Sequence, residues 1–342
     1  MVDLEERGGD RRPATRASGP AGTEPDRTTR AAHTVFAQPW WLDAVAPGSW
    51  GESVVRRGDE IAARLPFGIK EKWGVRVLTQ PPLTRFLGPW VRSTGGKPNK
   101  QLEAEKELVS ELIDGLPRSA AFRQSFSPLV TNWLPFHWRG FEATTRYTYR
   151  IEELGDLDAV WGGFAHSVRN HVKKAQKQLA VRTDLGVDVL HGLYRQVFER
   201  QGLAVPVGAD LLRRLDAACA DHKVRTLLFA VDAQERVHSA AFILHEADQS
   251  YLLLSGLDGE LRSSGAKSLL VWEAVQRAAA VSRAFDFAGS MIESVERFNR
   301  GFGARQRPYL HVHRTQRYLR PVLSAQDELR VLRTVLRRRA SR

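Results

Sequence analysis

Apolar positions along the chain fall into two kinds of pattern. Some are short alternating runs bounded by Gly, Pro or Asp. Others are longer stretches in which Leu and Val recur every three to four residues. The first kind predicts strands, the second helices. SVVRRGDEIAARLPFGIK at 53–70 predicts two strands around a Gly58-Asp59 turn, and WGVRVLTQ at 73–80 predicts a third with alternating valines. PWWLDAV at 39–45 opens on Pro39, which suits the first turn of a helix. NKQLEAEKELVSELIDGL at 99–116 predicts a helix that Gly115 ends. A Pro- and Gly-rich loop with interleaved aromatics spans 79–97. A strand is expected at 120–128, a short helix or turn at 132–141 and a strand at 144–152.

The second half predicts helices at 157–179, 187–203 and 208–222, then a three-strand meander over 226–257. A helix follows at 262–281, opening on a small-residue loop, then a strand at 285–287, a helix at 292–300 and a strand at 307–314. The two halves thus share one order of elements. They also share an ending: RGFEATTR at 139–146 and RGFGARQR at 300–307. GDEIAARLPF stands where QERVHSAAFI does, and ELVSELIDGL where LLVWEAVQRA does. Internal duplication is the economical explanation; the alternative is two unrelated α+β halves. The expected division is a disordered leader at 1–32, a first repeat at 33–152, a second at 153–320 and a basic C-terminal helix or tail at 321–342.

Composition adds little about the fold and more about partners. With 342 residues and 42% hydrophobic content, the chain has length and material for two packed domains. No apolar run is long enough for a membrane span, and the N-terminus has no signal-peptide core. Cys219 is the single cysteine and has no disulfide partner, so the expectation is a cytoplasmic protein. The net charge of +12 fits either an Arg-rich solvated surface or an anionic partner such as tRNA or an anionic surface. Its placement is informative. Arg169, Lys173 and Lys177 recur every four residues and share one helix face, as an anionic substrate requires and as a solvated face also allows. His311 and His313 have no evident third ligand, so no metal is expected. Trp138, like Trp90, stands beside Gly and Pro segments as a candidate groove wall.

The loop Arg262-Ser263-Ser264-Gly265-Ala266 opens a helix directly after the meander. A helix N-terminus offers free N–H groups and positive potential to a phosphate. Gly265 and Ala266 allow close approach, and Arg262 and Lys267 add charge. The meander, this loop, the stretch Phe285-Asp286-Phe287-x-Gly289-Ser290 and the Phe298-x-x-Gly301-Phe302 ending together resemble the GNAT superfamily of acyltransferases. More closely, about residues 36–318 resemble its FemAB-like members, as does the basic stretch from Arg169 to Ala175. The resemblance implies an α+β fold of two tandem GNAT-like domains, each a mixed, largely antiparallel sheet flanked by helices.

It also implies an enzyme that joins an activated acyl group to a small-molecule or precursor amine. The donor would be acyl-CoA, held by Arg262, Ser264, Gly265, Ala266 and Lys267. The alternative donor is aminoacyl-tRNA, as in FemAB ligases that act on peptidoglycan precursors. A reading of another class is a non-catalytic protein that binds an anionic polymer. The corresponding first-repeat loop near 93–97 is less orthodox, which suggests a scaffold. Oxyanion-stabilising N–H groups are expected on a splayed strand near 254–257. Asp286, between two Phe residues, and Glu293 are the candidate bases; Asp286 equally suits a buried structural carboxylate. Many GNAT enzymes place a Tyr acid four residues before the Gly-Phe pair, where this chain has Arg297. Arg169, Lys173, Lys177 and Trp138 are the candidate substrate contacts.

Overall fold

The computed structural model describes residues 32–316, apart from 73, 94 and 290, together with the backbone of 14–17. The expected leader, save 14–17 and 32, and the expected C-terminal basic helix lie outside the described residues. The first half comprises β1 (Ala14–Ala17), α1 (Pro39–Val45), β2 (Trp50–Arg57), β3 (Glu60–Lys72) and β4 (Val75–Thr79). It continues through β5 (Trp90–Val91), α2 (Pro98–Asp114), β6 (Ala121–Ser125), α3 (Leu134–Trp138) and β7 (Glu142–Ile151). The second half begins with α4 (Leu157–Gly162), α5 (His166–Gln176), β8 (Leu179–Arg182), α6 (Val187–Glu199) and α7 (Ala209–Asp221). The meander β9 (Arg225–Asp232), β10 (Val237–His245) and β11 (Gln249–Leu257) follows. The chain ends with α8 (Ala266–Ala279), β12 (Ala284–Asp286), α9 (Glu293–Arg300) and β13 (Arg305–Thr315).

All thirteen strands among the described residues belong to one mixed sheet, ordered β1-β2-β3-β4-β6-β13-β7-β12-β11-β10-β9-β8, with β5 beside β3. In each half an antiparallel meander is followed by a parallel strand: β4 with β6, and β11 with β12. The last strands then change places. β7, which ends the first half, pairs with β12 of the second half. β13, which ends the second, pairs with β6 of the first. β7 and β13 run antiparallel to each other at the centre, with Tyr309 opposite Arg146 and Val312 opposite Ala143. The two RGF endings are therefore the turns from which each half sends a strand across.

The sequence predicts one helix over 157–179, but the structure has two helices and a strand there. The helix stops at Gly162, and the chain turns through Gly163, whose carbonyl lies 2.7 Å from where a Cβ on Gly303 would be. Ala165 N–H donates to Gly301 O at 2.8 Å. The break makes room for the second RGF turn, and α5 starts beyond it.

The meander of the second half is covered on both faces, which explains its near-continuous apolar runs. Leu227, Phe229, Val231 and Phe242 face α6 and α7, while Leu228, Ala230 and Ile243 face α5 and α8. The first face also takes Phe36, Trp41 and Phe86 from the first half. Phe36 meets Tyr251 edge-on at 4.9 Å. The two halves therefore share a core as well as a sheet.

Candidate active site

β11 and β12 pair only from Gln249↔Ala284 to Tyr251↔Asp286, and then diverge. A bulge starts the divergence. Across β10 the register passes from Ile243↔Leu252 to Phe242↔Leu254, which leaves Leu253 as the extra residue. A bulge bends its strand and re-aims a peptide group. Beyond it a cavity of about 430 Å³ opens, with Leu252 to Ser255 on one wall and Phe287 and Gly289 on another.

Helix α6 closes the cavity because Gly256 lets it approach. A Cβ on Gly256 would lie 2.6 Å from both Leu193 Cβ and Tyr194 N, so only glycine permits this contact. The close packing carries Tyr194 and Phe198 into the lining. Burial pushes the Tyr194 phenol up to about 12, although the nearby Arg85 opposes the shift.

The first half supplies the remaining wall: Pro82, Leu83 and Arg85. Its own equivalent splay is sealed. β4 and β6 pair at Val77↔Ala121 and Leu78↔Phe122, and the chain then re-enters beside β6. Leu87 N–H donates to Ser125 O at 2.9 Å, and Ser127 N–H donates to Leu87 O at 2.8 Å. Gln80 completes the seal: its side-chain oxygen accepts from Ser125 N–H at 2.7 Å and its amide donates to Thr84 O at 2.6 Å. The segment that fills one cleft thereby presents Arg85 to the other. Arg85 Nη2 donates to the bulge carbonyl, Leu253 O, at 2.8 Å. Its Nε is buried without a hydrogen-bond partner. Burial pushes the guanidinium pKa down.

Of the donor-loop candidates, Lys267 lines the cavity. Its ammonium lies 4.3 Å from the centre of the Phe298 ring, and burial lowers its pKa. It has no acidic partner among the described residues. Arg262 is exposed on the turn that precedes α8. Ser264 Oγ accepts from Ala266 N–H at 3.3 Å and so occupies the first free N–H of α8; Ala266 is buried. Gly265 has φ +81, and its vacant Cβ position is 2.4 Å from His171 O. The glycine thus faces the backbone of α5, and the close approach it permits is that of a helix.

Asp286 is buried and does not line the cavity. Its Oδ1 accepts from the Thr148 hydroxyl at 2.5 Å and from Ala288 N–H at 2.7 Å. Burial pushes the carboxyl up to about 6 against those two bonds. The Ala288 bond fixes a turn with φ 57 at Ala288 and 72 at Gly289, and this turn forms the cavity edge. Glu293 is exposed and pairs with Arg297 at 3.1 Å, so both lie outside the lining. Arg169 Nη1 donates to Gly162 O, while Lys173 and Lys177 are exposed. Trp138 stands on α3, 59% exposed, with Lys106 Nζ 5.7 Å from its ring centre. These four residues are not brought to the cavity.

Sequence reasoning missed Arg85, Tyr194 and Asn299. Asn299, one residue after Phe298 in the second ending, lines the cavity, is only 3% exposed, and has an Nδ2 with no partner. Among the described residues no cluster of three or more His, Cys, Asp or Glu side chains is arranged to hold a metal ion. None of the described helices is long and apolar enough to cross a membrane.

A bulged meander strand that splays from its parallel neighbour beside a helix N-terminus defines an N-acyltransferase-type fold, here with two like-ordered halves. The comparisons agree. Residues 163–291 match the model of the acetyltransferase (GNAT) domain family. No curated protein matches the chain. Among solved structures, that of FemX is similar with a TM-score of 0.59 at 12% identity, over 80% of this chain and 90% of that one. A conserved protein of unknown function from Bacteroides thetaiotaomicron VPI-5482 gives 0.54 at 10% identity, over 85% and 95%. Residues 163–291 thus carry a GNAT-type acetyltransferase domain, and over most of its length the chain has a fold similar to that of FemX.

Proposed function

We propose that this protein transfers an acyl group from acyl-CoA to an amine in the cavity between β11 and β12. The observation that carries the reading is the acid-free cavity at the start of α8, with Lys267 and the unpartnered amide of Asn299 on its wall. Those groups fit a donor that brings a carbonyl and negative charge. The amine lone pair forms the new N–C bond, the C–S bond breaks, and the thiolate leaves. The proton released by the amine balances the thiol formed. The positive potential of Lys267 stabilises the oxyanion, and together with that of Arg85 it favours the neutral, nucleophilic amine. Tyr194, protonated at neutral pH, is the wall hydroxyl able to protonate the leaving thiolate. Asp286 acts as a positioning residue for the turn at Ala288 and Gly289.

Helix α5 favours aminoacyl-tRNA as the second reading of the donor. It contains no acidic residue, exposes Lys173, Lys174 and the adjoining Lys177, and ties to the loop before α8 through Lys174 Nζ and Ser263 O at 3.0 Å. Release of free thiol from acetyl-CoA in the presence of a mixture of amines separates the two. Amine-dependent release is expected. Its absence, with deacylation of charged tRNA by the same protein, would replace the first reading with the second.

A further inference from the structure

Three nitrogen-bearing side chains contribute to the wall of this one cavity, and no acid stands beside them in the lining. Arg85 keeps a buried, unpartnered Nε, Asn299 a buried, unpartnered Nδ2, and Lys267 an ammonium that faces only an aromatic ring. No Asp or Glu is in the lining. Asp286 lies near enough to favour the charged Arg85 guanidinium, but burial outweighs it, and a ligand's negative charge would offset the remaining cost. Beside the Tyr194 and Ser255 hydroxyls, the wall has apolar side chains that include Leu83, Phe198, Val207 and Phe287. A volume of about 430 Å³ suits a small molecule with an apolar body.

The two cations come from different halves. Lys267 opens α8 on the donor side, whereas Arg85 arrives from the first half on the segment that seals the other cleft. We propose that the acceptor is a small amine bearing a carboxylate, an amino acid in the simplest case, whose carboxylate pairs with the Arg85 guanidinium. Nη2 is anchored on Leu253 O, so the guanidinium plane is fixed, and a planar fork matches a carboxylate better than a point charge does. This proposal rests on the reading of the cavity as the site of amine acylation.

The test is thermal unfolding of the full chain with each common L-amino acid and, separately, with its amide. At least one acid is expected to raise the midpoint and to bind about ten-fold or more tightly than its amide. Arg85→Gln is expected to lose that preference, and Arg85→Lys, which keeps charge without the fork, to retain part of it. The proposal is overturned if no acid stabilises the protein, if the amides do so equally, or if Arg85→Gln keeps the preference. Should Arg85→Gln fail to fold, the acid-against-amide comparison on the unaltered protein still decides. An acid that binds while no thiol is released from acetyl-CoA counts against the donor reading alone. Thiol release equally fast with amines lacking a carboxylate counts against this proposal alone.

Discussion

Gly265→Ala is expected to destabilise the protein by about 2–5 kcal/mol, with two costs that add. The residue has φ +81, where any L side chain pays about 1–2 kcal/mol. The new Cβ would also stand 2.4 Å from His171 O and 3.1 Å from its carbonyl carbon. These are atoms of a helix backbone, so no rotamer change relieves the clash, and overpacking of this kind costs about 1–3 kcal/mol. Gly58 is the control: it has φ +60 and nothing within 4 Å of its Cβ position, so Gly58→Ala pays only the conformational part. Urea unfolding of the two variants measures the difference. Equal losses would mean that α5 does not press on the loop before α8.

Asp286→Asn is expected to stabilise the protein at neutral pH, on the order of 2–3 kcal/mol. Burial holds the folded carboxyl near 6, above the ordinary value of 3.8. The sign follows from linkage. The unfolded chain ionises first, so stability is greatest below about 4, falls as pH rises toward about 6, and stays lower above it. Asparagine keeps the Oδ1 acceptor for Thr148 and Ala288 and has no charge to desolvate. The advantage of the variant should therefore vanish as pH approaches 4. Urea midpoints across that range test the stability claim. Catalysis tests the role: a positioning residue predicts transfer within a few-fold of the unaltered protein, whereas loss of a general base would cost about a hundred-fold or more.

Much of the fold is legible in the sequence because its signals are local. The turn at Gly58-Asp59, the alternation along β9 to β11 and the periodicity of α2 all act within a few residues. The exchange of β7 and β13 is not local, since each strand pairs with elements from the other half. Only the repeated RGF endings point to it. The short strand β8 is hidden because it follows α5 almost without a break.

The site divides in the same way. Lys267 is legible because a loop pattern and a helix start mark it. Arg85 lies in a Pro- and Gly-rich loop with no pattern of its own and gains meaning from a contact 168 residues away. Asn299 looks like an ordinary helix residue until packing buries its amide without a partner. Asp286 is recognisable as buried from its two Phe neighbours, but the Thr148 hydroxyl that holds it comes from the exchanged strand β7.

The central claim is that the cavity between β11 and β12 holds the acyl donor against the start of α8. Calorimetric titration with CoA, of the unaltered protein and of Lys267→Glu, tests it most directly. Saturable one-site binding is expected, weakened about ten-fold or more by Lys267→Glu with unchanged circular dichroism. No saturable binding by the unaltered protein, or equal binding by both, would contradict it.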